Sequence, residues 1–114
     1  GVAFALADCE DALHATGTRI ESLLALGGGS QSDYWVSALA TALNLPIDIP
    51  ADGEFGAAFG AARLGMMAAT GAGAEIANRP PIERTVEPRE DLVDAFAEAH
   101  TRFVEARDAM RRLP

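Results

Sequence analysis

Apolar positions recur along this chain in blocks of two different periods, separated by glycine and proline. Val2, Leu6, Cys9 and Leu13 share one side of a 3.6-residue repeat, which predicts a helix over residues 1–16 with a single apolar stripe. Gly17 is placed to end it. Asp8, Glu10 and Asp11 lie off the stripe, on a face predicted to meet solvent, and His14 sits near the helix end. Ile20 to Leu26 is a near-continuous apolar run and reads as a strand buried on both faces, as in a parallel sheet. Three consecutive glycines stop it. Helical spacing resumes over about 33–44, with Trp35 or Val36, Leu39, Ala40 and Leu43 inward, Ser32 or Asp33 as the N-cap and Asn44 as the C-cap. Pro46 cannot continue that helix. The run from Pro46 to Pro50 is short and extended, and its two prolines place it near a sheet edge. Strand, helix and strand make a βαβ unit, expected to be parallel and right-handed.

The second half is patterned differently. Asp52-Gly53-Glu54 reads as a turn, and residues 54–69 as a helix made mostly of alanine and glycine. Gly56 and Gly60 share a face of it. Each costs roughly 1 kcal/mol relative to alanine, so another backbone or a ligand is expected to approach closely there. Met66 and Met67 read as gap fillers, and Thr70-Gly71 as the helix end. Residues 71–89 are rich in glycine and proline, with Ile82 to Val86 as a short extended piece. Residues 90–112 form the longest predicted helix, with Leu92, Phe96, Ala99, Phe103, Ala106, Met110 and Leu113 at alternating steps of four and three. The small alanine members favour packing on the chain's own sheet over a coiled coil. Glu98–Arg102 and Asp108–Arg112 are i,i+4 pairs. His100, next to the stripe, reads as a surface residue.

Composition narrows the function classes. At 114 residues the chain is one domain or a piece of one, and with 49% apolar residues it can bury a core. Its formal net charge is −8 and its basic residues are scattered, which argues against nucleic acid or an anionic membrane surface as partner. No apolar run is long enough to span a bilayer, and no secretory leader pattern opens the chain. Cys9 is the single cysteine, so no internal disulfide can form; it reads as a small core residue, and a reducing cytoplasm is the compartment that fits. Helical patterning begins at once after Gly1, so the chain reads as a piece of something larger.

The candidate chemistry lies at Gly27-Gly28-Gly29-Ser30-Gln31-Ser32. Glycines let backbone N–H groups face a ligand with no Cβ in the way, and the helix start behind them adds orphan donors and the positive end of a dipole. Such a turn suits a nucleotide, a phosphate or a sugar hydroxyl; the same pattern also serves an ordinary strand-to-helix turn. Metal-ligand spacings, a nucleophile elbow and a lysine-bearing phosphate loop are all missing from the sequence. These residues can hold a ligand, and none visibly transforms one. Two other readings stay open. Gly27-x-Gly29-x-x-Ser32, with Asp48 further on, is a degenerate dinucleotide-binding pattern. The long final helix, through Phe96 and Phe103, would suit a non-catalytic interaction module.

Taken together, four stretches carry a resemblance. Ile20 to Ser32 resembles the adenosine-binding turn of the FGGY carbohydrate kinases, and Glu54-Phe55-Gly56-Ala57-Ala58-Phe59-Gly60-Ala61-Ala62 is similar to the Gly/Ala helix that follows it in that family. Gly1 to Leu6, and the ending from Val86-Glu87-Pro88 through the long helix, resemble the xylulokinase branch, although Phe96, His100 and Phe103 stand where that branch often has tyrosines. The resemblance implies an α/β fold, part of an actin-like (ribonuclease H-like) ATPase domain. It implies ATP with magnesium, whose ligands would not be in this chain, and a ketopentose such as xylulose bound by a missing N-terminal region. Gly28 would pack on adenine and ribose, Gly27 and Gly29 would allow the approach, and Ser32 would offer the base a polar contact. The catalytic base would lie upstream, so this segment alone is expected to be inactive. Its uncovered apolar surface is expected to find the missing part or a second copy.

Overall fold

The computed structural model describes residues 1–51 and 56–112. Its order is α1 (Val2–Ala15), β1 (Leu23–Leu24), a 3-10 turn (Gly28–Gln31), α2 (Asp33–Leu43), β2 (Ile47–Pro50), α3 (Gly56–Thr70), a second 3-10 turn (Ala74–Ile76), β3 (Ile82–Val86) and α4 (Glu90–Arg111). The predicted turn at Asp52-Gly53-Glu54, the start of the Gly/Ala helix and Leu113 lie outside the described residues.

Local chemistry sets the helix ends. Gly17, at φ 85°, turns the chain after α1, and its N–H donates to the His14 carbonyl at 2.9 Å. Ser32 caps α2, its Oγ accepting from the Trp35 N–H at 3.3 Å. Asn44 ends α2 at φ 49°, a left-handed conformation that asparagine tolerates better than most side chains. Gly71 closes α3 at φ 71°.

The sheet is small and mixed, in the order β1-β2-β3. β1 runs parallel to β2, with Leu23 opposite Ile47 and Leu24 opposite Asp48. β3 returns antiparallel to β2, with Val86, Thr85 and Arg84 opposite Ile47, Asp48 and Ile49. Alternate residues therefore share one face. Leu23, Ala25, Ile47, Ile49 and Val86 meet Val36, Leu39 and Ala40 of α2, and this is the core. Burying a side chain such as Val36 contributes about 1.5–3 kcal/mol.

α4 is fastened at both ends. The buried Thr41 hydroxyl donates to the Ser37 carbonyl at 2.7 Å and accepts the Arg89 N–H at 3.1 Å, which joins α2 to the start of α4. Further along, Phe4 of α1 packs on Phe96, His100 and Phe103, with ring centroids 6.1, 5.7 and 5.9 Å away. Asp8 then takes His100 Nε2 at 2.9 Å on one carboxylate oxygen and the Arg107 guanidinium on the other.

The structure corrects several expectations. The first strand is two residues long, although Leu23 N to Pro46 O and Ala25 N to Asp48 O continue the contact. It is half-buried rather than covered on both faces, and it lies at one edge of the sheet. β2 is the central strand, not one near an edge. Its prolines sit at the strand's limits, where Pro46 supplies a carbonyl and Pro50 falls at a register shift, so the missing N–H groups cost the ladder little. On α1 the stripe is displaced: Val2, Leu6, Cys9 and Leu13 are exposed, while Phe4, Ala7 and Asp8 face the protein. Asp8 and His100 are thus partners rather than solvated surface. Asp108 bonds Arg107 instead of Arg112, whereas the Glu98–Arg102 pair forms.

Candidate nucleotide site

β1 delivers the chain to Gly27, whose φ of 86° and ψ of 178° lie in a region essentially closed to residues with a Cβ. The turn is stitched through its carbonyls. Gly27 O accepts from Ser30 N at 3.0 Å and from Ser30 Oγ at 2.7 Å, and Gly29 O accepts from Ser32 N at 3.2 Å. The N–H groups are left over. Gly28 and Gly29 open the 3-10 turn and are exposed, and their amides donate to no acceptor among the described residues. The turn thus presents donors at the end of a parallel strand and before a helix start, the geometry that receives anions and polar ligands. Ser30 is buried and spent on the turn itself. Ser32 Oγ accepts the cap bond, which leaves its O–H free to donate. The Trp35 ring lies under Gly29, 3.6 Å from where a Cβ would stand.

Two predicted features of the Gly/Ala helix separate. A Cβ on Gly56 would stand 3.0 Å from the Leu26 side chain, so α3 does approach the strand closely where the glycine turn begins. At Gly60 a Cβ would meet nothing within 4 Å among the described residues, which leaves that position open to a neighbour or a ligand. Between α3, Leu26 and the Pro80-Pro81 loop lies a groove of about 630 Å³, where the Arg63 guanidinium covers the Phe59 ring 4.1 Å from its centroid. A second, apolar groove of about 280 Å³ lies between α1 and the outer strand, lined by Leu6, Cys9, Leu13, Ile20 and Leu24.

Charge near the turn is balanced by a residue the sequence pattern did not single out. Arg84 of β3 donates from Nη2 to Asp33 Oδ1, 2.5 Å away, at the first residue of α2. Its pairing depends on the register of β3 against β2, where Arg84 stands opposite Ile49. Asp48, the acid a dinucleotide site would turn to ribose, instead accepts from the Thr85 hydroxyl at 2.6 Å. Asp8, Asp11 and His100 bring possible metal-ligand atoms within 4.8 Å of one another. Arg107 already neutralises Asp8, so this group acts as an ion cluster between α1 and α4. The His100 hydrogen bond holds the Asp8 carboxyl below its usual range; burial opposes it, and Arg107 adds to the lowering. Burial pushes the Glu10 carboxyl up.

The sequence model of the FGGY family of carbohydrate kinases, C-terminal domain, matches residues 1–69. The chain belongs to the FGGY carbohydrate kinases. Among FGGY relatives, the xylulose kinase of Escherichia coli K12 is 44% identical over 69 residues, covering 60% of this chain and 14% of that enzyme. The xylulose kinase of Klebsiella pneumoniae is 35% identical over 103 residues, covering 85% of this chain and 20% of the enzyme. This FGGY segment thus spans a fifth or less of the curated relatives it matches. The crystal structure of a xylulose kinase from Brucella ovis superposes on all of the chain with a TM-score of 0.87 and 52% identity, using 24% of that protein. One from Rhodospirillum rubrum, 18% identical, shares the fold over 96% of the chain, with a TM-score of 0.72 over 23% of its own length. The matches to the Klebsiella and Brucella kinases run beyond residue 69, into the region that carries β3 and α4.

Proposed function

We propose that this chain is the C-terminal, nucleotide-binding segment of a sugar kinase that transfers the γ-phosphate of ATP to a hydroxyl of a ketopentose such as xylulose. The carrying observation is the glycine turn, with the amides of Gly28 and Gly29 donating to no acceptor among the described residues at the end of β1, and α3 drawn in behind Leu26 through Gly56. Gly27 shapes the turn, Gly28 and Gly29 seat the adenosine half of ATP, and Ser32 offers its hydroxyl to the base. The surrounding domain is of the actin-like, ribonuclease H-like kind, of which this chain supplies a βαβ unit, β3 and flanking helices. The names and identities of the xylulose kinases it matches support the choice of sugar.

Phosphoryl transfer depends on positioning and charge stabilisation around the transferred group. This segment's share is to hold the nucleoside end. The sugar site, the catalytic base and the magnesium ligands belong to the part of the enzyme that precedes it. An intracellular, cytoplasmic setting follows from that chemistry, and no described helix is long and apolar enough to cross a membrane.

The test is an amide-resolved NMR titration of the chain with ADP and, separately, NAD. ADP is expected to shift the Gly28 and Gly29 signals at lower concentration than NAD does. In parallel, ATP and xylulose incubated with the chain alone are expected to give no sugar phosphate. Indifference of the turn to ADP, or turnover by the chain alone, would overturn this reading.

A further inference from the structure

Trp35 is the single tryptophan of the chain, and it stands against the glycine turn. The core fixes its place. Val36, the next residue, and Ala40 are both buried there. Long side chains on a helix lean back toward its N-terminus, and the half-buried indole of Trp35 reaches past Ser32 to Gly29. Its Cδ1 and Nε1 atoms each lie 3.6 Å from where a Cβ on Gly29 would stand. The Trp35 main chain holds the same stretch, its N–H donating to Ser32 Oγ at 3.3 Å.

The two exposed glycines therefore differ in outlook. A Cβ on Gly28 would meet nothing within 4 Å, whereas one on Gly29 would rest on the indole at ordinary contact distance. One side of the turn is backed by an aromatic ring and the other is open. Glycines have more backbone freedom to lose than other residues, so a turn built from them needs an outside surface to hold one shape. We propose that Trp35 is a positioning residue for the nucleotide: its ring backs Gly29, keeps the turn in its receptive shape, and leaves the ligand to arrive from the side of Gly28. This rests on the nucleotide reading above and deepens it. Apparent affinity falls with the fraction of molecules whose turn is already in the receptive shape.

The experiment titrates the complete chain with ADP by NMR, following the Gly28 and Gly29 amides and the Trp35 indole N–H. The indole signal is expected to move in step with the two glycines. Trp35→Leu is expected to weaken ADP about three- to tenfold, and Trp35→Phe, which keeps a flat ring, to stay within about twofold of wild type. Ile47→Val removes core volume where β2 faces Leu23, upstream of the turn. It is expected to lower the denaturation midpoint with ADP affinity within about twofold of wild type. Gly29→Ala, whose methyl rests on the ring, is expected to weaken ADP less than Gly28→Ala does. A dispersed amide spectrum checks each variant, and should Trp35→Leu fail it, the indole titration and the two alanine variants decide. The assignment is overturned, while wild type still binds ADP, by an indole signal that stays put, by wild-type affinity in Trp35→Leu, or by an equal loss in Ile47→Val. Loss in Trp35→Phe as large as in Trp35→Leu, or a larger loss in Gly29→Ala than in Gly28→Ala, overturns it too. A wild type that ignores ADP overturns the nucleotide reading and this assignment with it.

Discussion

Gly27 and Gly28 are neighbours with the same side chain and opposite jobs. Gly27 sits at φ 86° and ψ 178°, whereas Gly28 has an ordinary negative φ and open space where a Cβ would go. Gly27→Ala is therefore expected to cost about 1–3 kcal/mol of stability through backbone strain, read as a lower denaturation midpoint. Gly28→Ala is expected to leave stability within about 0.5 kcal/mol while weakening ADP, because its methyl occupies the space the ligand needs. Equal destabilisation by both would mean that the turn's shape, not its openness, is what the glycines serve. The turn was legible because glycine, serine and an apolar run are local signals. Arg84 was not, because the bond to Asp33 depends on strand register, which no local pattern carries. Ser32 adds a further check. Removing its capping oxygen in Ser32→Ala is expected to cost about 0.5–1 kcal/mol, the low end for a cap, given the 3.3 Å bond.

At the scale of elements, α1 shows where periodicity misleads. Its large aliphatics form a clean stripe, yet the stripe borders the apolar groove, and the helix is held to α4 by Phe4 and Asp8 on another side, where Ala7 is also buried. Phe4 and Asp8 outweigh four apolar residues because α4 brings Phe96, His100, Phe103 and Arg107 to them. Helix existence and ends were readable from glycine, proline and capping side chains; the packed face of α1 was decided by a helix nearly a hundred residues away. The α1–α4 join has a pH signature. Asp8 is held below its unfolded value of 3.8 by His100 and Arg107. Its contribution is complete above that value and is lost as pH falls through the lowered folded one. Denaturation midpoints measured from about pH 5 to about pH 2 are expected to fall in wild type and to fall less steeply in Asp8→Asn. Parallel curves would show that the ion cluster does not couple α4 to the fold.

For the molecule as a whole, shape and surface disagree with self-sufficiency. A compact chain of this length has a radius of gyration of about 13 Å, and this one has 17.2 Å, with extents of 52 × 36 × 26 Å. Its accessible surface is 7717 Å², against about 5,900 Å² for a folded monomer of its mass. The difference is more than twice the roughly 800 Å² that one partner contributes to a standard interface. The excess is apolar in part: Leu26, Phe59, Leu64 and Met66 are about half or more exposed, and two apolar-walled grooves flank the sheet. Among the described residues, Val36, Ala40, Ile47 and Ile49 make the continuous buried cluster. The chain corresponds to 24% of the Brucella enzyme that shares this arrangement. The purified segment is therefore expected to associate as its concentration rises, seen as a growing weight-average mass in equilibrium sedimentation. Its urea-unfolding slope at low concentration is expected to fall below the value usual for its length, because less surface is hidden to begin with. Adding a soluble protein that supplies the preceding part of the domain is expected to abolish the self-association and steepen the unfolding transition, since both occupants compete for the same apolar faces. A monodisperse monomer with a steep transition would mean that the exposed leucines and the two grooves are tolerated surface, and that the small cluster under α2 is enough to fold the chain.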